Sequence, residues 1–232
     1  GSTFKPFIIA TAIERGLIHP DEMFDCCHGE YRMGRRVLHD HHPYGELSVT
    51  DILVKSSNIG MAKIGERLTN RGIYQSAVTF GFGRRTGIEL PGELKGMLRP
   101  LKVWNSYSTG SVPMGQEIAV TPLQLIAATA GLANEGRQCT PHLIDSAAPG
   151  APTPAAVIVS RTTEPEIARW IVQGPMTDVV SRGTGTKAKS KKYAVFGKTG
   201  TAQKPDPLTG KYSSQLHVSS FICGAPSENP QA

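Results

Sequence analysis

The architecture of this chain is decided by one stretch near its start, Ser2-Thr3-Phe4-Lys5-Pro6-Phe7-Ile8-Ile9-Ala10-Thr11-Ala12-Ile13. Pro6 is tolerated only in the first turn of a helix, so the helix is predicted to start at Ser2. Gly16 predicts its end after Arg15. Because Phe7 to Ile13 is apolar on nearly every side, we expect this helix to run through the middle of the domain.

Length and composition favour a folded enzyme or binding domain. The chain has 232 residues, of which 39% are hydrophobic and 19% charged, against a usual charged share of about 25%. One large domain or two small ones with a real core are expected, and a disordered chain is not. An uninterrupted apolar run of about 18 residues is absent from the sequence. This piece is therefore not expected to span a membrane.

The formal charge of +6 would allow an anionic partner such as nucleic acid. Residues 181–205 hold seven basic side chains and no acidic one, and their Gly/Thr/Lys-rich composition predicts a solvated loop. Helix-turn-helix, zinc-finger and aromatic sheet motifs do not accompany this charge, so we expect no nucleic-acid partner. We expect instead that the positive charge attracts the protein surface to an anionic cell envelope. The seven residues are Arg182, Lys187, Lys189, Lys191, Lys192, Lys198 and Lys204.

Cysteines and histidines near residues 26–42 raise the question of a metal site, because thiolate and imidazole are the ligands zinc prefers. Adjacent ligands do not easily share one tetrahedral ion, and the usual zinc pair spacings are missing. We therefore expect neither a metal nor another cofactor, and no disulfide framework. The residues in question are Cys26, Cys27, His28, His39, His41 and His42, with Cys139 and Cys223 farther along the chain.

Beyond the first helix, short helices, turns and a few strands are predicted. Residues 20–45 are expected to be irregular. Thr121, Pro122 and Gln124 form a capping-box pattern that predicts a clear helix start. Predicted helices cover 48–55, 59–68, 74–80, 121–134 and 163–181, the last divided at Gly174-Pro175. Predicted strands cover 155–159, 193–196 and 216–223, and residues 147–154 are expected to form a linker.

Three short motifs appear in order: Ser2-x-x-Lys5, Ser56-x-Asn58 and Lys198-Thr199-Gly200. Roughly one chance match to each of the first two is expected in a chain of this length. The tetrapeptide that begins at Lys198 and ends at Thr201 is expected by chance in under about 1% of such chains. The combination and order therefore indicate a nucleophilic active site.

The chemistry of these residue types explains their spacing. Three residues apart at a helix start, Ser2 and Lys5 share one face, so the amine can take the hydroxyl proton during attack on a carbonyl. For that, the pKa of Lys5 must fall by about 3 units, which burial and a second cation favour. Lys198 is the expected second cation. Ser56 can relay a proton, and Asn58 offers an amide to a peptide-like substrate.

These motifs resemble those of the transpeptidase domain of penicillin-binding proteins, and the similarity covers nearly the whole chain. The Ser-Ser-Asn-Ile and Gly-Thr-Ala-Gln forms resemble the monofunctional class B branch, of the cell-division or elongation type. Besides residues 1–6, the matching segments are Lys55-Ser56-Ser57-Asn58-Ile59-Gly60, Gly87-Ile88-Glu89-Leu90-Pro91-Gly92-Glu93, Gly115-Gln116-Glu117-Ile118-Ala119-Val120-Thr121-Pro122-Leu123-Gln124-Leu125, Gly197-Lys198-Thr199-Gly200-Thr201-Ala202-Gln203 and Phe221-Ile222-Cys223-Gly224-Ala225-Pro226.

The resemblance implies an α+β penicillin-recognising serine transpeptidase fold, in which a helical subdomain packs with an antiparallel sheet. Residues 1–232 would be a partial transpeptidase domain, with an incomplete sheet. The family's N-terminal membrane anchor, pedestal domain and last strands and helix would be missing. Membrane attachment would come only through that anchor, with the catalytic domain on the extracytoplasmic side.

The same resemblance implies a peptidoglycan cross-linking reaction through a serine acyl-enzyme. Its substrates would be stem peptides on the lipid-linked precursor, β-lactams would be its inhibitors, and a glycosyltransferase of the divisome or elongasome would be its partner. The backbone N–H groups of Ser2 and Thr201 would form the oxyanion hole. The implied roles are nucleophile for Ser2, general base for Lys5, proton relay for Ser56, amide binding for Asn58, and carboxylate binding for Lys198, Thr199, Gly200 and Thr201.

Three alternatives share these motifs. A serine β-lactamase would need a carboxylate that activates water, and Glu164 and Glu166 are candidates, although they are expected in the first turn of a helix. A D,D-carboxypeptidase would release its acyl group to water. A β-lactam-sensing receptor domain would keep Ser2 and Lys5 but need no acceptor site. Transfer of the acyl group to an added amine distinguishes a transpeptidase from all three.

Overall fold

The computed structural model of the chain describes residues 1–143, 157–206 and 212–230. These residues form an α+β fold in which the strands pair as antiparallel two-stranded sheets. The helices are α1 Lys5–Glu14, α2 Val49–Lys55, α3 Asn58–Thr79, α4 Ser108–Ser111, α5 Pro122–Ala133, α6 Pro165–Ile171 and α7 Thr177–Ser181. The strands are β1 Met23–Asp25, β2 Glu30–Met33, β3 Arg36–His39, β4 Glu46–Ser48, β5 Met97–Leu98, β6 Ile118–Ala119, β7 Arg137–Cys139, β8 Ile158–Arg161, β9 Phe196–Pro205 and β10 Tyr212–Gly224.

The first helix lies at the centre of the hydrophobic core, as the sequence predicts. A 3₁₀ turn, Ser2–Phe4, leads directly into α1, and the helix is buried from Lys5 to Ala10. Phe7 packs against Phe80 and Phe82 at ring-centroid distances of 5.0 and 5.2 Å. The turn before α1 is thereby anchored to the core. Among the described residues, we find no helix long and apolar enough to cross a bilayer.

Helix starts that carry a capping signal were predicted well. The side chain of Ser48 accepts a hydrogen bond from the backbone N–H of Asp51 at the start of α2. Both bonds of the capping box between Thr121 and Gln124 are present at the start of α5. These signals are readable because each cap is made by residues three apart in sequence.

The two helices predicted at 59–68 and 74–80 correspond to the two halves of α3. Thr69 divides them with a non-helical backbone, at φ of 61° and ψ of 166°, directly after the predicted end of the first helix. Leu68 and Ile73, on either side of this kink, are both buried in the core that surrounds α1. Both halves therefore pack on one core.

The prediction that residues 20–45 are irregular is wrong. The segment contains β1, β2 and β3, of which β2 and β3 form a hairpin and β1 pairs with β4. Strands of three or four residues carry too few positions to show a period of two. The partner of β1 also lies beyond the segment, so its pairing leaves no local signal.

The last part of the chain contains the longest strands. β9 pairs antiparallel with β10, which brings Lys198 opposite Ile222 and Gly200 opposite Ser220. The strand predicted for 193–196 therefore begins later and includes the Lys-Thr-Gly motif. The solvated loop predicted for 181–205 is wrong from Phe196 onward, and Lys198 is fully buried.

The remaining C-terminal predictions are largely confirmed. α6 and α7 are joined by a π-helical turn, Val172–Met176, that contains Pro175, where a division of the helix was expected. The strand predicted for 216–223 lies inside the longer β10. β8 overlaps the strand predicted for 155–159. The predicted linker at 147–154 lies outside the described residues, as do residues 155 and 156.

Candidate active site

Most of the predicted site residues line one cleft of about 1330 Å³. Its walls come from the 3₁₀ turn before α1, the junction of α2 and α3, the end of β3 and the facing part of β9 and β10. Lys5 and Lys198 lie behind these walls and are fully buried. The three motifs thus meet in space. Predicted residues that line the cleft are Ser2, Ser56, Asn58, Thr199, Gly200 and Thr201.

Ser2 is held at the cleft by the backbone on either side of it. The backbone nitrogen of Gly1 donates to the carbonyl of Gly115 over 2.8 Å. Gly115 has φ of +82°, and a Cβ there would lie 2.0 Å from the carbonyl oxygen of Gly1. Only glycine allows this close approach, which places the Ser2 turn against the segment that follows α4.

The Lys-Thr-Gly strand packs directly on the same turn. A Cβ at Gly200 would lie 3.2 Å from the backbone nitrogen of Thr3. A Cβ at Gly1 would lie 3.3 Å from the carbonyl carbon of Thr201. The Ser2 turn and the strand segment that contains Thr201 therefore pack closely together at the cleft.

Lys5 makes its hydrogen bonds to the junction between α2 and α3. Its Nζ lies 2.7 Å from the carbonyl oxygen of Ser56, 2.9 Å from Oδ1 of Asn58 and 3.2 Å from both Ser56 Oγ and the carbonyl oxygen of Ser57. A direct hydrogen bond between Lys5 and Ser2, suggested by their spacing, is not present among the described residues. A buried amine needs several acceptors, and Ser56, Ser57 and Asn58 supply them.

Ser56 bridges the two buried lysines. Its Oγ lies 3.2 Å from Nζ of Lys5 and 2.9 Å from Nζ of Lys198. Ser56 is the residue directly after α2 and has φ of 63° and ψ of 37°. This left-handed conformation is costly for a residue with a Cβ and is found mainly where function demands it. The hydroxyl is thus placed to pass protons between the two amines.

The pKa values of both lysines are lowered. Burial, with the positive charge of Lys198, holds the pKa of Lys5 well below its ordinary value, and Asp40 opposes this shift. Burial alone lowers the pKa of Lys198 to about 7. The lowered pKa of Lys5 favours the neutral amine that a general base requires. Lys198, the expected second cation, also has a lowered pKa, and its positive charge contributes to the lowering at Lys5.

The other predicted substrate contacts are partly occupied by the protein itself. Asn58 receives a bond from Lys5 and donates to the carbonyl of His39 over 3.1 Å. Lys198 also donates to the carbonyl of Thr199 over 3.0 Å and does not line the cleft. Lys198, for which a carboxylate contact was expected, therefore lies behind the cleft lining, which Thr199, Gly200 and Thr201 form.

Asp40 is the residue that sequence reasoning missed. Its carboxylate accepts from Ser57 Oγ over 2.6 Å, from the backbone N–H of Ile59 over 3.1 Å, and from the backbone N–H of Asn58. It follows β3 and lines the cleft. Because its three donors lie 17 to 19 positions along the chain, no local pattern marks it.

The cysteine and histidine cluster does not converge on one point. Within residues 1–143, 157–206 and 212–230, no group of three or more Cys, His, Asp or Glu residues is placed to hold a metal ion. Cys26 is buried, with Ser57 Oγ 3.4 Å from its sulfur, whereas Cys27 Sγ lies 3.3 Å from Nζ of Lys63. The two neighbouring thiols thus point to different partners.

The two glutamates considered for a β-lactamase lie elsewhere. Glu164 is the residue before α6, and Glu166 is in its first turn, 2.9 Å from Arg169, as expected. Neither lines the cleft. The acidic side chains that do are Asp40 and Glu117, and Glu117 accepts hydrogen bonds from Arg99, Ser108 and Ser111.

Comparison with known families gives one match over the full chain. Residues 1–232 match the family model described as the penicillin binding protein transpeptidase domain. The chain is 34% identical to the penicillin-binding protein PbpB of Mycolicibacterium smegmatis, over 100% of this chain and 37% of that protein. It is 33% identical to the stage V sporulation protein D of Bacillus subtilis, over 99% and 36%. The peptidoglycan D,D-transpeptidase FtsI of Escherichia coli is 29% identical, over 100% and 37%.

Solved structures with the same fold include penicillin-binding protein 3 of Mycobacterium tuberculosis in complex with aztreonam. Its TM-score is 0.88 at 31% identity, covering 100% of this chain and 54% of that one. The apo transpeptidase domain of Burkholderia pseudomallei penicillin-binding protein 3 also has a TM-score of 0.88, at 28% identity, with coverages of 99% and 67%. The chain thus spans 36–37% of the length of the three curated relatives above.

Proposed function

Because the chain belongs to the penicillin-binding protein transpeptidase family, we propose that it carries the active site of a peptidoglycan D,D-transpeptidase. One observation carries the proposal: the hydroxyl of Ser56 joins two buried amines, those of Lys5 and Lys198, beside Ser2. This arrangement supplies a base, a proton relay and a nucleophile at one cleft. It matches acyl transfer, in which one proton must leave the nucleophile and another must reach the leaving group.

In the acylation step, Ser2 Oγ attacks the carbonyl carbon of the penultimate D-alanine of a stem peptide. The new Oγ–C bond replaces the peptide bond to the terminal D-alanine. Neutral Lys5 accepts the Ser2 proton, and Ser56 passes a proton on to the departing amine. The serine approaches Lys5 for this step, since catalytic hydrogen bonds often shorten only in the substrate complex.

The cleft walls bind and polarise the substrate. The backbone N–H groups of Ser2 and Thr201 stabilise the oxyanion, a contribution of about 2.7–4 kcal/mol per donor. Thr199, Gly200 and Thr201 bind the terminal carboxylate. The positive charge of Lys198, in the fraction of molecules that carry it, lies behind Thr199 and adds to that attraction. Asn58 contacts the stem-peptide amide with the part of its side chain left free.

In the second step, an amine of a neighbouring stem peptide attacks the acyl-enzyme and restores the Ser2 hydroxyl. Attack by water instead would make a D,D-carboxypeptidase, and no attack would make a sensor. We place the domain on the extracytoplasmic side of the membrane, in a protein held there by an N-terminal anchor. A glycosyltransferase that supplies nascent glycan strands would be its partner.

Labelling with benzylpenicillin tests the nucleophile. Intact-mass analysis should show one adduct per chain, and peptide mapping should place it on Ser2. The variant Ser2→Ala should show none. Ser106→Ala, which removes the side chain of an exposed serine outside the cleft lining, is the matched control and should label like the wild type. Labelling that persists in Ser2→Ala would reject the assignment.

Acyl transfer separates the transpeptidase from its alternatives. Purified protein is incubated with a thioester analogue of the stem peptide and an added D-amino acid. A transpeptidase forms the D-amino acid adduct in preference to the hydrolysis product. Hydrolysis alone would favour the carboxypeptidase, and a stable acyl-enzyme with neither product would favour the sensor.

A further inference from the structure

We propose that Asp40 is a positioning residue of this active site, which caps the first turn of α3 and keeps a negative charge beside the buried amine of Lys5. The inference rests on the proposed acyl-transfer function and adds a residue outside the three motifs. Asp40 touches neither Ser2 nor the reacting atoms assigned above. It acts through Ser57, Asn58 and Lys5.

The cap is unusually complete for one carboxylate. One oxygen of Asp40 accepts from the backbone N–H groups of Asn58 and Ile59, and the other accepts from Ser57 Oγ. Ser57 Oγ in turn accepts from the backbone N–H of Gly60 over 2.9 Å. The first-turn donors of α3 are therefore satisfied by one carboxylate and one hydroxyl, and negative charge is favoured at a helix N-terminus.

This capped turn is the same segment that binds Lys5. The carbonyls of Ser56 and Ser57 and Oδ1 of Asn58 all accept from Lys5 Nζ. The strained backbone at Ser56 needs support from its surroundings to persist. Asp40 supplies that support from β3, and the carbonyl of His39 supplies a second contact to the Asn58 side chain.

The charge of Asp40 also affects the base directly. Asp40 is the negative group that raises the pKa of Lys5 against the lowering by burial and by Lys198. On the other side, Asp40 faces Cys26 and Tyr44, whose pKa values are raised mainly by burial and further by Asp40. His39, His41 and His42 flank it and also line the cleft.

These groups determine in which direction the loss of the Asp40 charge shifts the pH dependence of acylation. Removing the charge of Asp40 lets the pKa of Lys5 fall further, so Lys5 loses its proton at a lower pH. The acylation rate rises with pH as Lys5 becomes neutral. A neutral residue at position 40 should therefore shift that rise toward acid, whereas loss of the cap alone would lower the rate without shifting it.

The experiment measures the benzylpenicillin acylation rate from pH 5 to 10 in the full-length protein. Asp40→Asn keeps an acceptor for the cap and should move the midpoint of the rise about 1 pH unit toward acid. Asp40→Ala loses the cap as well and should lose about 10²-fold in rate. Asp40→Glu keeps the charge, so its midpoint should stay at the wild-type value even where its rate falls. Asp40→Ser is a second neutral cap in case Asp40→Asn does not fold.

Glu166→Gln is the matched control, because it removes a negative charge from an exposed helix start away from the cleft. Its rate and midpoint should equal those of the wild type. An unchanged midpoint in the neutral variants, a shift toward alkaline pH, or a wild-type rate in Asp40→Ala would overturn the inference. Absence of acylation in the wild type would instead reject the proposed function before Asp40 is tested.

Discussion

Lys5 and Lys198 point their amino groups at the same oxygen, Ser56 Oγ, over 3.2 and 2.9 Å. Both side chains are fully buried. Two buried cations that share one hydroxyl partner repel each other, so the pair favours the state with one proton. That proton is available for transfer through the hydroxyl between them.

Replacement by arginine should reduce acylation to different extents at Lys5 and Lys198. In Lys5→Arg, the guanidinium cannot lose a proton, so β-lactam acylation should fall by at least about 10²–10⁴-fold. Lys198→Arg preserves a cation near Thr199 and should reduce the acylation rate less. Stopped-flow acylation rates on both variants check the order. A milder defect in Lys5→Arg than in Lys198→Arg would show that the roles are reversed.

Two replacements of Ser56 distinguish the role of its hydroxyl in acylation from the effect of its backbone conformation on stability. Ser56→Ala and Ser56→Gly both remove the bridge between the lysines, so each should lower acylation by at least about 10²-fold. Glycine adopts the φ of 63° at this position without strain, whereas alanine adopts it at a cost in free energy. Ser56→Gly should therefore melt about 2–4 °C above Ser56→Ala, which corresponds to about 1 kcal/mol. Equal melting temperatures would contradict the strain, and wild-type acylation in either variant would contradict the relay.

The close packing around Gly115 should make its replacement more harmful to stability and acylation than the positive φ alone would. Gly115→Ala places a Cβ 2.0 Å from the carbonyl of Gly1, so it should displace the Ser2 turn and lower both stability and acylation. Gly34→Ala is the control: Gly34 has a similar φ of +61°, but nothing lies within 4 Å of the added Cβ. The control should lose only about 1–2 kcal/mol of stability and keep its acylation rate. Loss of acylation in both variants would remove the argument for a steric role.

Burial of Lys198 predicts how stability depends on pH. Its folded pKa of about 7 lies below its unfolded value of about 10.4. Between these limits the unfolded chain binds a proton that the folded chain does not, so the free energy of unfolding should rise with pH from about 7 to 10. The pKa of Lys5 is also lowered, so Lys5 likewise makes the free energy of unfolding rise with pH.

The variant Lys198→Met tests this dependence by removing one of the two groups. At pH 7 it should be more stable than the wild type, on the order of 1 kcal/mol, and its stability should rise less toward pH 9. Lys102→Met, at an exposed position outside the cleft, is the control and should keep the wild-type slope. Urea unfolding at both pH values measures the difference. A slope as steep as the wild type in Lys198→Met would contradict the assignment.

Sequence alone identified the parts of this protein whose causes are local. The buried first helix follows from seven consecutive residues with one polar break, and the start of α5 follows from a cap made within one turn. The helix division near Pro175 follows from the missing N–H of proline. Ser2 and Lys5 could be proposed as nucleophile and base because that chemistry requires particular residue types at a short spacing.

Tertiary structure alone decided where Lys5 makes its hydrogen bonds, which carboxylate supports the same turn and that the pKa of each buried lysine is lowered. Lys5 contacts Ser56 and Asn58 rather than Ser2, and Asp40 reaches the same turn from β3. Short strands such as β1 likewise form only because a distant partner, β4, completes their hydrogen bonds. The physical reason is common to all of these: desolvation, Coulomb interaction and strand pairing depend on neighbours in space, and residue order does not specify them.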